Sequence, residues 1–493
     1  MDKSPPKHKS YMKHLSAITF ITALSISLLN HGALRAQEYL VSSEFLSNTP
    51  AFLLSVPPFV TGQYGCDYYR ITYNTTDIDG SPTIASGAVA VPVANDNCDV
   101  FPMAIYCHGT VLRKLDVPSE ENSESQIPKV FAGQGYIAVA PDYLGLGINP
   151  GLHPYVHAES EATASIDAFF AAREFIESLD MVHYSGETGV TGYSQGGHAA
   201  MATLKYAQEN DLLEEMGIVA GAPLSGPYNL SGSQADVLLT DEPYSNPGYV
   251  VYLLKAYERV YGTLYDELSD ILLSPYDEDV LPYFDGMQNE YDMGVVNELL
   301  PDVISEYMQD TVLMNLAIDD QHPIWASLRD NDNYDWAPQM PIRMFYCDGD
   351  EQVPFENSIV ARDSMLAKGA EDVDAVNVFP GATHGLCVIP AIVETRLFFQ
   401  SVISPCSLIS STDDSEAYLP LELWPNPSSG RIRMRLSEPR GLLSVYDLYG
   451  KVVHQEVVNQ SEFEIDLSQL PGGVYLAIFE GMQSAARSKV VIH

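Results

Sequence analysis

With 493 residues the chain has room for two or more domains, and its 46% hydrophobic content is that of a folded globular protein. Sixty-six acidic residues against 25 basic ones leave a net charge of -41. A surface this negative repels phosphate backbones and anionic headgroups, which argues against a nucleic-acid partner.

At the N-terminus, Lys3, Lys7, Lys9 and Lys13 precede an apolar run over 15–29, and Ala33 and Ala36 follow it. This is the layout of a secretory signal peptide cut after Ala36, so residues 1–36 are expected to be removed on export. A retained anchor is the alternative, but the run falls short of the ~20 residues that span a bilayer. No later segment is expected to cross one.

Six cysteines follow: Cys66, Cys98, Cys107, Cys347, Cys387 and Cys406. An even number in an exported chain permits disulfides, and nearness in sequence suggests Cys66 with Cys98 and Cys387 with Cys406. Cys107 and Cys347 end apolar strands, where buried free thiols fit equally well. No pair has zinc-ligand spacing, and neither a metal nor another cofactor is expected.

Residues 101–106, 136–140, 188–191, 217–220, 342–346 and 376–379 are short and almost wholly apolar, as strands buried on both faces of a parallel sheet should be. Helical patterns lie between several of them. Over 157–179, Ile166, Phe169, Phe170, Phe175, Ile176 and Leu179 cluster on one side. Alternating strands and helices predict an α/β fold with a mostly parallel sheet.

That rhythm breaks between about 225 and 336. The stretch is rich in Tyr, Met, Leu, Asp and Glu, and its basic residues are Lys255, Arg259 and Arg329. Helices are predicted over 249–261 and 295–318, so an inserted helical cap is expected within a domain spanning 37–405. Asp330-Asn331-Asp332-Asn333-Tyr334-Asp335 superficially suggests calcium, but the glycine and terminal glutamate of an EF-hand loop are missing. A solvated acidic loop is expected there.

Ser410-Ser411-Thr412-Asp413-Asp414-Ser415 marks a polar linker over 406–422. Beyond it Ile432, Met434 and Leu436 alternate with Arg431, Arg433 and Arg435, a strand with one wet face. Another strand, 474–479, follows the Pro471-Gly472-Gly473 turn. Residues 423–493 are therefore expected to form a separate small all-β sandwich.

Gly192-Tyr193-Ser194-Gln195-Gly196 has the G-x-S-x-G form of a nucleophile elbow, whose turn from strand to helix is too tight for side chains beside the serine. The bare pattern is weak; its setting between a predicted strand and a helix over 198–209 strengthens it. Serine needs a base, and the base a carboxylate to orient it. In an α/β hydrolase these follow in the order Ser, acid, His. His384 follows the run 376–379, and Asp350 follows the run 342–346, so both fall at carboxyl ends of strands, where sites of open sheets assemble. Asp348 is the competing acid. His153 and His157 precede the elbow and suit structural or helix-capping roles. The backbone N–H of Gln195 and that of Thr110, after His108-Gly109, are the expected oxyanion donors.

Pro141-Asp142-Tyr143-Leu144-Gly145-Leu146-Gly147, His153-Pro154-Tyr155 and the elbow together resemble the secretory lipase family of α/β hydrolases over roughly 55–404. The resemblance implies hydrolysis of carboxylic esters of unstated acyl length, a helical lid, and Ser194, Asp350 and His384 as the catalytic residues. Pro425-Asn426-Pro427, Gly430, Val445-Tyr446-Asp447-Leu448-Tyr449-Gly450-Lys451-Val452 and Gly473-Val474-Tyr475-Leu476 resemble a type IX secretion C-terminal sorting domain. That implies recognition by the type IX secretion machinery and a destination on the cell surface or in the medium. A serine exopeptidase of the same fold is the rival enzyme, since amides and esters share tetrahedral chemistry. A hydrolase fold reused for binding is the rival outside catalysis.

Overall fold

The computed structural model describes residue 1 and residues 38–55, 61–95, 98–287, 289–404, 406, 419–436, 439–446, 452–481 and 485–492. The expected signal peptide, most of the expected linker and 447–451 of the sorting motif lie outside the described residues.

Nine strands form the main sheet: β1 Leu40–Thr49, β2 Cys66–Thr76, β3 Pro82–Pro92, β4 Val100–Cys107, β5 Ile137–Pro141, β6 His183–Tyr193, β7 Ile218–Leu224, β8 Ile342–Tyr346 and β9 Val373–Asn377. Their spatial order is β1-β2-β3-β5-β4-β6-β7-β8-β9. The first three run antiparallel to their neighbours, and β5, β4, β6, β7, β8 and β9 are parallel. This is an α/β-hydrolase fold. The predicted runs fall within β4 to β8, give or take a residue at each end. In β9 the strand starts three residues before the predicted run 376–379, because it is the sheet's edge and Asp374 can face water.

Strand alternation sorts side chains onto two helical layers. Met103, Ile105 and Cys107 face one with Ile166, Phe169 and Leu204, from the helices Ala158–Glu177 and Gln195–Glu209. Ala104 and Tyr106 face the other, with Phe131 of the helix Gln126–Gly133 and Phe399 of the helix His384–Val402. On this second face Ala88, Ala90, Ala138 and Ala140 leave room for the large rings, so small and large residues interlock. By length and composition alone the helix His384–Val402 could cross a membrane. It lies instead on the sheet through Cys387, Ala391, Ile392, Thr395 and Phe399.

Between β7 and β8 the chain leaves the sheet and builds helices around a core of their own, including Tyr252, Tyr257, Leu272, Val296, Tyr307 and Met308. The first long helix is Pro247–Tyr261, ended by Gly262 in a left-handed conformation. The single helix expected over 295–318 is two helices, Met293–Leu299 and Asp310–Ile318, with a 3-10 turn Ile304–Glu306 between them. Pro301 explains the break: it lacks an N–H and disfavours helical backbone at Leu300, which is extended.

The acidic stretch 330–335 is not the solvated loop expected. Asn331 and Asn333 are buried, and Asp332 bonds Ser231. Asn331 Oδ1 accepts the Ala158 N–H at the start of a sheet helix, and Asn333 Nδ2 donates to the His198 carbonyl. The stretch latches the cap onto the helices beneath it.

Neither suggested disulfide forms. Cys98 pairs with Cys406, and Cys347 with Cys387, leaving Cys66 and Cys107 buried and free. Nearness in sequence misleads here because parallel crossovers return distant segments to the same end of the sheet. Burial pushes the Cys66 and Cys107 thiols up to about 12, so both are unreactive.

In the C-terminal part, Arg431–Arg435 has the expected alternation, with Ile432 and Met434 buried and the arginines exposed. It lies between Glu422–Trp424 and Glu462–Asp466 in a three-stranded sheet. Five strands, Leu419–Pro420, Ala485–Ile492, Gly473–Gly481, Gly441–Tyr446 and Val452–Val458, make the second sheet in that order. Residues of both, including Ile432, Ile465, Val445 and Phe479, close one core.

Candidate active site

Ser194 stands between β6 and the helix Gln195–Glu209, with φ 62° and ψ -122°. A non-glycine residue pays for such a conformation and keeps it only where its surroundings enforce it. Here the Ser194 N–H donates to Leu224 O at 3.0 Å, and Ser194 O accepts from Gly197 N–H at 2.8 Å. The elbow also presses on β4. A first side-chain carbon at Gly196 would lie 2.0 Å from the Cys107 carbonyl oxygen, and one at Gly192 would lie 2.2 Å from Gly196 O. Only glycine fits at either place.

Asp350 and His384 come together. His384 Nδ1 and Asp350 Oδ2 are 2.6 Å apart, with the imidazole buried and the carboxylate almost fully so. Asp350 Oδ1 accepts the N–H groups of Gln352 (3.0 Å) and Val353 (2.9 Å), which fixes the carboxylate plane. His384 opens its helix, and its N–H donates to Glu351 Oε2 at 3.0 Å. The Cys347–Cys387 disulfide ties the residue three before Asp350 to the residue three after His384. Asp348, the competing acid, is exposed. The Gly381 N–H, at 2.6 Å, and then the Asn377 side chain hold its carboxyl below the usual range.

Tyr193 links this pair to the elbow. Its hydroxyl donates to the His384 carbonyl at 2.6 Å, and its ring lies 4.9 Å from the imidazole. Ser194 Oγ itself makes no hydrogen bond to His384 among the described residues. Thr110 lies in the loop after β4, which rests on the elbow: His108 O is 2.7 Å from the same hypothetical carbon on Gly196.

His153 and His157 are buried, as structural residues would be. Burial drives His153 down to about 3 and His157 to about 4, so both rings stay neutral.

A cluster beside the serine was not anticipated. Glu161 and His198, both fully buried, share a bond of 2.7 Å, and His198 Nε2 faces Asn331 O at 2.9 Å. The Gln195 side chain donates to Glu161 Oε1 (2.9 Å) and contacts His153 Nε2 (2.7 Å). A glutamate on the helix face that also carries Ala164, Ser165 and Ala168, all buried, is the signal that could have found it.

An apolar pocket opens at Ser194 and Gln195 and runs into the cap, enclosing about 850 Å³ of space that is partly open to solvent. Leu238, Leu254, Met308, Leu316, Ile324 and Leu328 form much of its wall, and among the described residues no acidic or basic side chain lines it.

The secretory lipase family pattern matches residues 129–384, just over half of the chain. The pattern of the secretion system C-terminal sorting domain matches residues 422–493. Among solved structures, the chain is similar to the rice cell wall degrading esterase LipA from Xanthomonas oryzae. That similarity has 28% identity over 76% of this chain and 100% of that one, with a TM-score of 0.67. A putative hydrolase from Legionella pneumophila has 26% identity over 74% of this chain and 98% of its own, with a TM-score of 0.66. Candida antarctica lipase A in its closed state, at 16% identity over 74% of this chain and 83% of its own, shares the fold (TM-score 0.54). No curated protein sequence matches the chain.

Proposed function

The chain belongs to the secretory lipase family, and from that membership we propose how it cleaves its esters: Ser194 is the nucleophile, His384 the general base, and Asp350 the acid that orients it. It is a carboxylic ester hydrolase, and its C-terminal sorting domain marks it for export to the cell surface or the medium. Residues 1–36 serve as the cleaved signal, and a hydrolase domain over 37–405, capped at about 225–336, joins the sorting domain through the linker 406–422.

The observation that carries this reading is the 2.6 Å His384–Asp350 contact beside a serine held at φ 62°. With Nδ1 bonded to the carboxylate, the imidazole keeps Nε2 to take the Ser194 proton as Oγ attacks the ester carbonyl. The Gln195 and Thr110 amides receive the oxyanion. Collapse expels the alcohol with a proton from His384. Water activated by the same histidine then releases the acid from the acyl-enzyme. The acyl chain lies in the apolar pocket. Because no acid among the described residues lines that pocket to hold a substrate ammonium, its lining favours an ester over an exopeptidase substrate.

The test is hydrolysis of p-nitrophenyl esters from acetyl to palmitoyl, with Ser194→Ala as the blank. Rates should rise with chain length by up to about fourfold per buried methylene, at ~0.8 kcal/mol each, until the pocket is full. Ser194→Ala should be folded and inactive. Turnover by that variant would sink the assignment, and a maximum at acetyl would remove the acyl pocket from the reading.

A further inference from the structure

The His153-Pro154-Tyr155 segment has no part in the proposed chemistry, yet it touches both halves of the oxyanion hole. We propose that His153 and Tyr155 are positioning residues that set the Gln195 and Thr110 amides; the inference rests on the reading of those amides as oxyanion donors.

The contacts are direct. On the elbow side, Gln195 Nε2 lies 2.7 Å from His153 Nε2. The other ring nitrogen, Nδ1, is 2.8 Å from Leu144 O, which can only accept, so Nδ1 carries the proton and Nε2 accepts from the glutamine. The second Gln195 hydrogen goes to Glu161 Oε1 at 2.9 Å. A side chain held at both amide hydrogens fixes the rotation of its own backbone, and that backbone carries the first donor. On the other side, the Tyr155 and Thr110 hydroxyls share a hydrogen bond of 2.9 Å. Two further tyrosines grip the same loop, Tyr143 at His108 O (3.2 Å) and Tyr252 at Val111 O (3.3 Å).

The segment is built to be stiff. Tyr155 N–H turns back to His153 O at 2.9 Å, His157 N–H reaches Pro154 O at 3.1 Å, and Val156 between them has φ 55°. A β-branched residue adopts that conformation only under constraint. The Tyr155 ring stacks on Tyr252 at 4.5 Å and 2°, and His153 stacks on Tyr143 at 5.6 Å and 15°. One rigid turn thus spaces the two donors, which an oxyanion hole requires to within a fraction of an ångström.

Tyr155→Phe and His153→Ala, each in the full chain, test this against the wild type. An ester and its thionoester analogue would be compared under saturating conditions, with fluorophosphonate titration counting competent Ser194. A thionoester develops its charge on sulfur, which these donors serve poorly, so the ester-to-thionoester rate ratio reports the oxyanion hole. Tyr155→Phe keeps the stacked ring and should lower kcat for the ester about 10-fold, with KM within about 2-fold and the rate ratio reduced. His153→Ala should do the same through Gln195. Unchanged kcat in both variants, or equal losses on both substrates, would overturn the proposal and leave the serine mechanism standing. Failure of the wild type to label would overturn both.

Discussion

In an Asp350→Asn variant, the two backbone amides at Oδ1 decide which way the new side chain turns. Gln352 N–H and Val353 N–H, at 3.0 and 2.9 Å, both need an acceptor. The asparagine must therefore present its carbonyl to them. The reverse orientation would strand both donors at about 1–3 kcal/mol each. Its NH2 group is then left where Oδ2 was, 2.6 Å from His384 Nδ1. That group donates, so Nδ1 must accept and the ring proton moves to Nε2, the nitrogen that should receive the Ser194 proton. The loss of the correct tautomer costs serine hydrolases about 10⁴ in kcat, or roughly 5.5 kcal/mol of barrier. KM should stay within a few-fold because no pocket wall changes. Saturation kinetics on a p-nitrophenyl ester measure the split, and the rate of fluorophosphonate labelling should fall in parallel. Asp348→Asn is the comparison: that carboxylate is exposed and bonds Gly381 N–H, so its loss should cost less than about 2-fold, as surface changes away from chemistry do. A tenth or more of wild-type activity in Asp350→Asn, or a collapse in Asp348→Asn, would refute the assignment of the acid.

Leu328→Trp should narrow the apolar pocket; losing room for two methylenes forfeits about 1.6 kcal/mol, so palmitoyl ester kcat/KM should fall about 15-fold while acetyl ester kcat/KM holds. Replacing both Cys347 and Cys387 with alanine frees a 40-residue loop and should cost up to ~4 kcal/mol in urea unfolding. Because that bridge spans Asp350 and His384, kcat should fall with it, and retained kcat would show that the strand and helix alone hold the pair. Burial, opposed by the Ser119 and Ser86 hydroxyls, raises Asp142 from 3.8 to about 6, so the native state binds its proton more tightly than the unfolded chain. Wild type should therefore lose stability relative to Asp142→Asn as pH rises from about 4 to 6. The loss should be about 3 kcal/mol and constant above that window. A flat difference between pH 4 and 7 would show that the carboxyl titrates normally.

The strands that carry the site were legible because they are buried on both faces and read as continuous apolar runs. The antiparallel strands were not. The sequence of β2, Cys66–Thr76, mixes Tyr68, Ile71 and Tyr73, all buried, with Asp67, Arg70 and Asn74, and β1 exposes most of its residues. Neither forms the compact apolar block that marks a central strand. The cap was recognisable as an interruption, but its apolar residues serve two surfaces at once. Leu316 lines the pocket from a helix whose Met314 and Ile318 are exposed, and a helix without one clear face offers no period from which to place its ends.

Serine, acid and histidine can be proposed from a sequence because each sits at a strand end with its own local pattern, and chain order does the rest. The groups that steady them have no such pattern. Glu161 lies 37 residues from His198 and 34 from Gln195, and the bonds among them exist only because the helices Ala158–Glu177 and Gln195–Glu209 share one side of the sheet. The same holds for Cys98 and Cys406, 308 residues apart. A pairing across such distances depends on where the crossovers land, which is a property of the whole sheet rather than of any segment. His153-Pro154-Tyr155 falls between these cases. It is visible as a motif, and it stands at a turn that reaches Gln195 with one side chain and Thr110 with another. A motif that local structure leaves unexplained is therefore a reason to ask which two distant segments it joins.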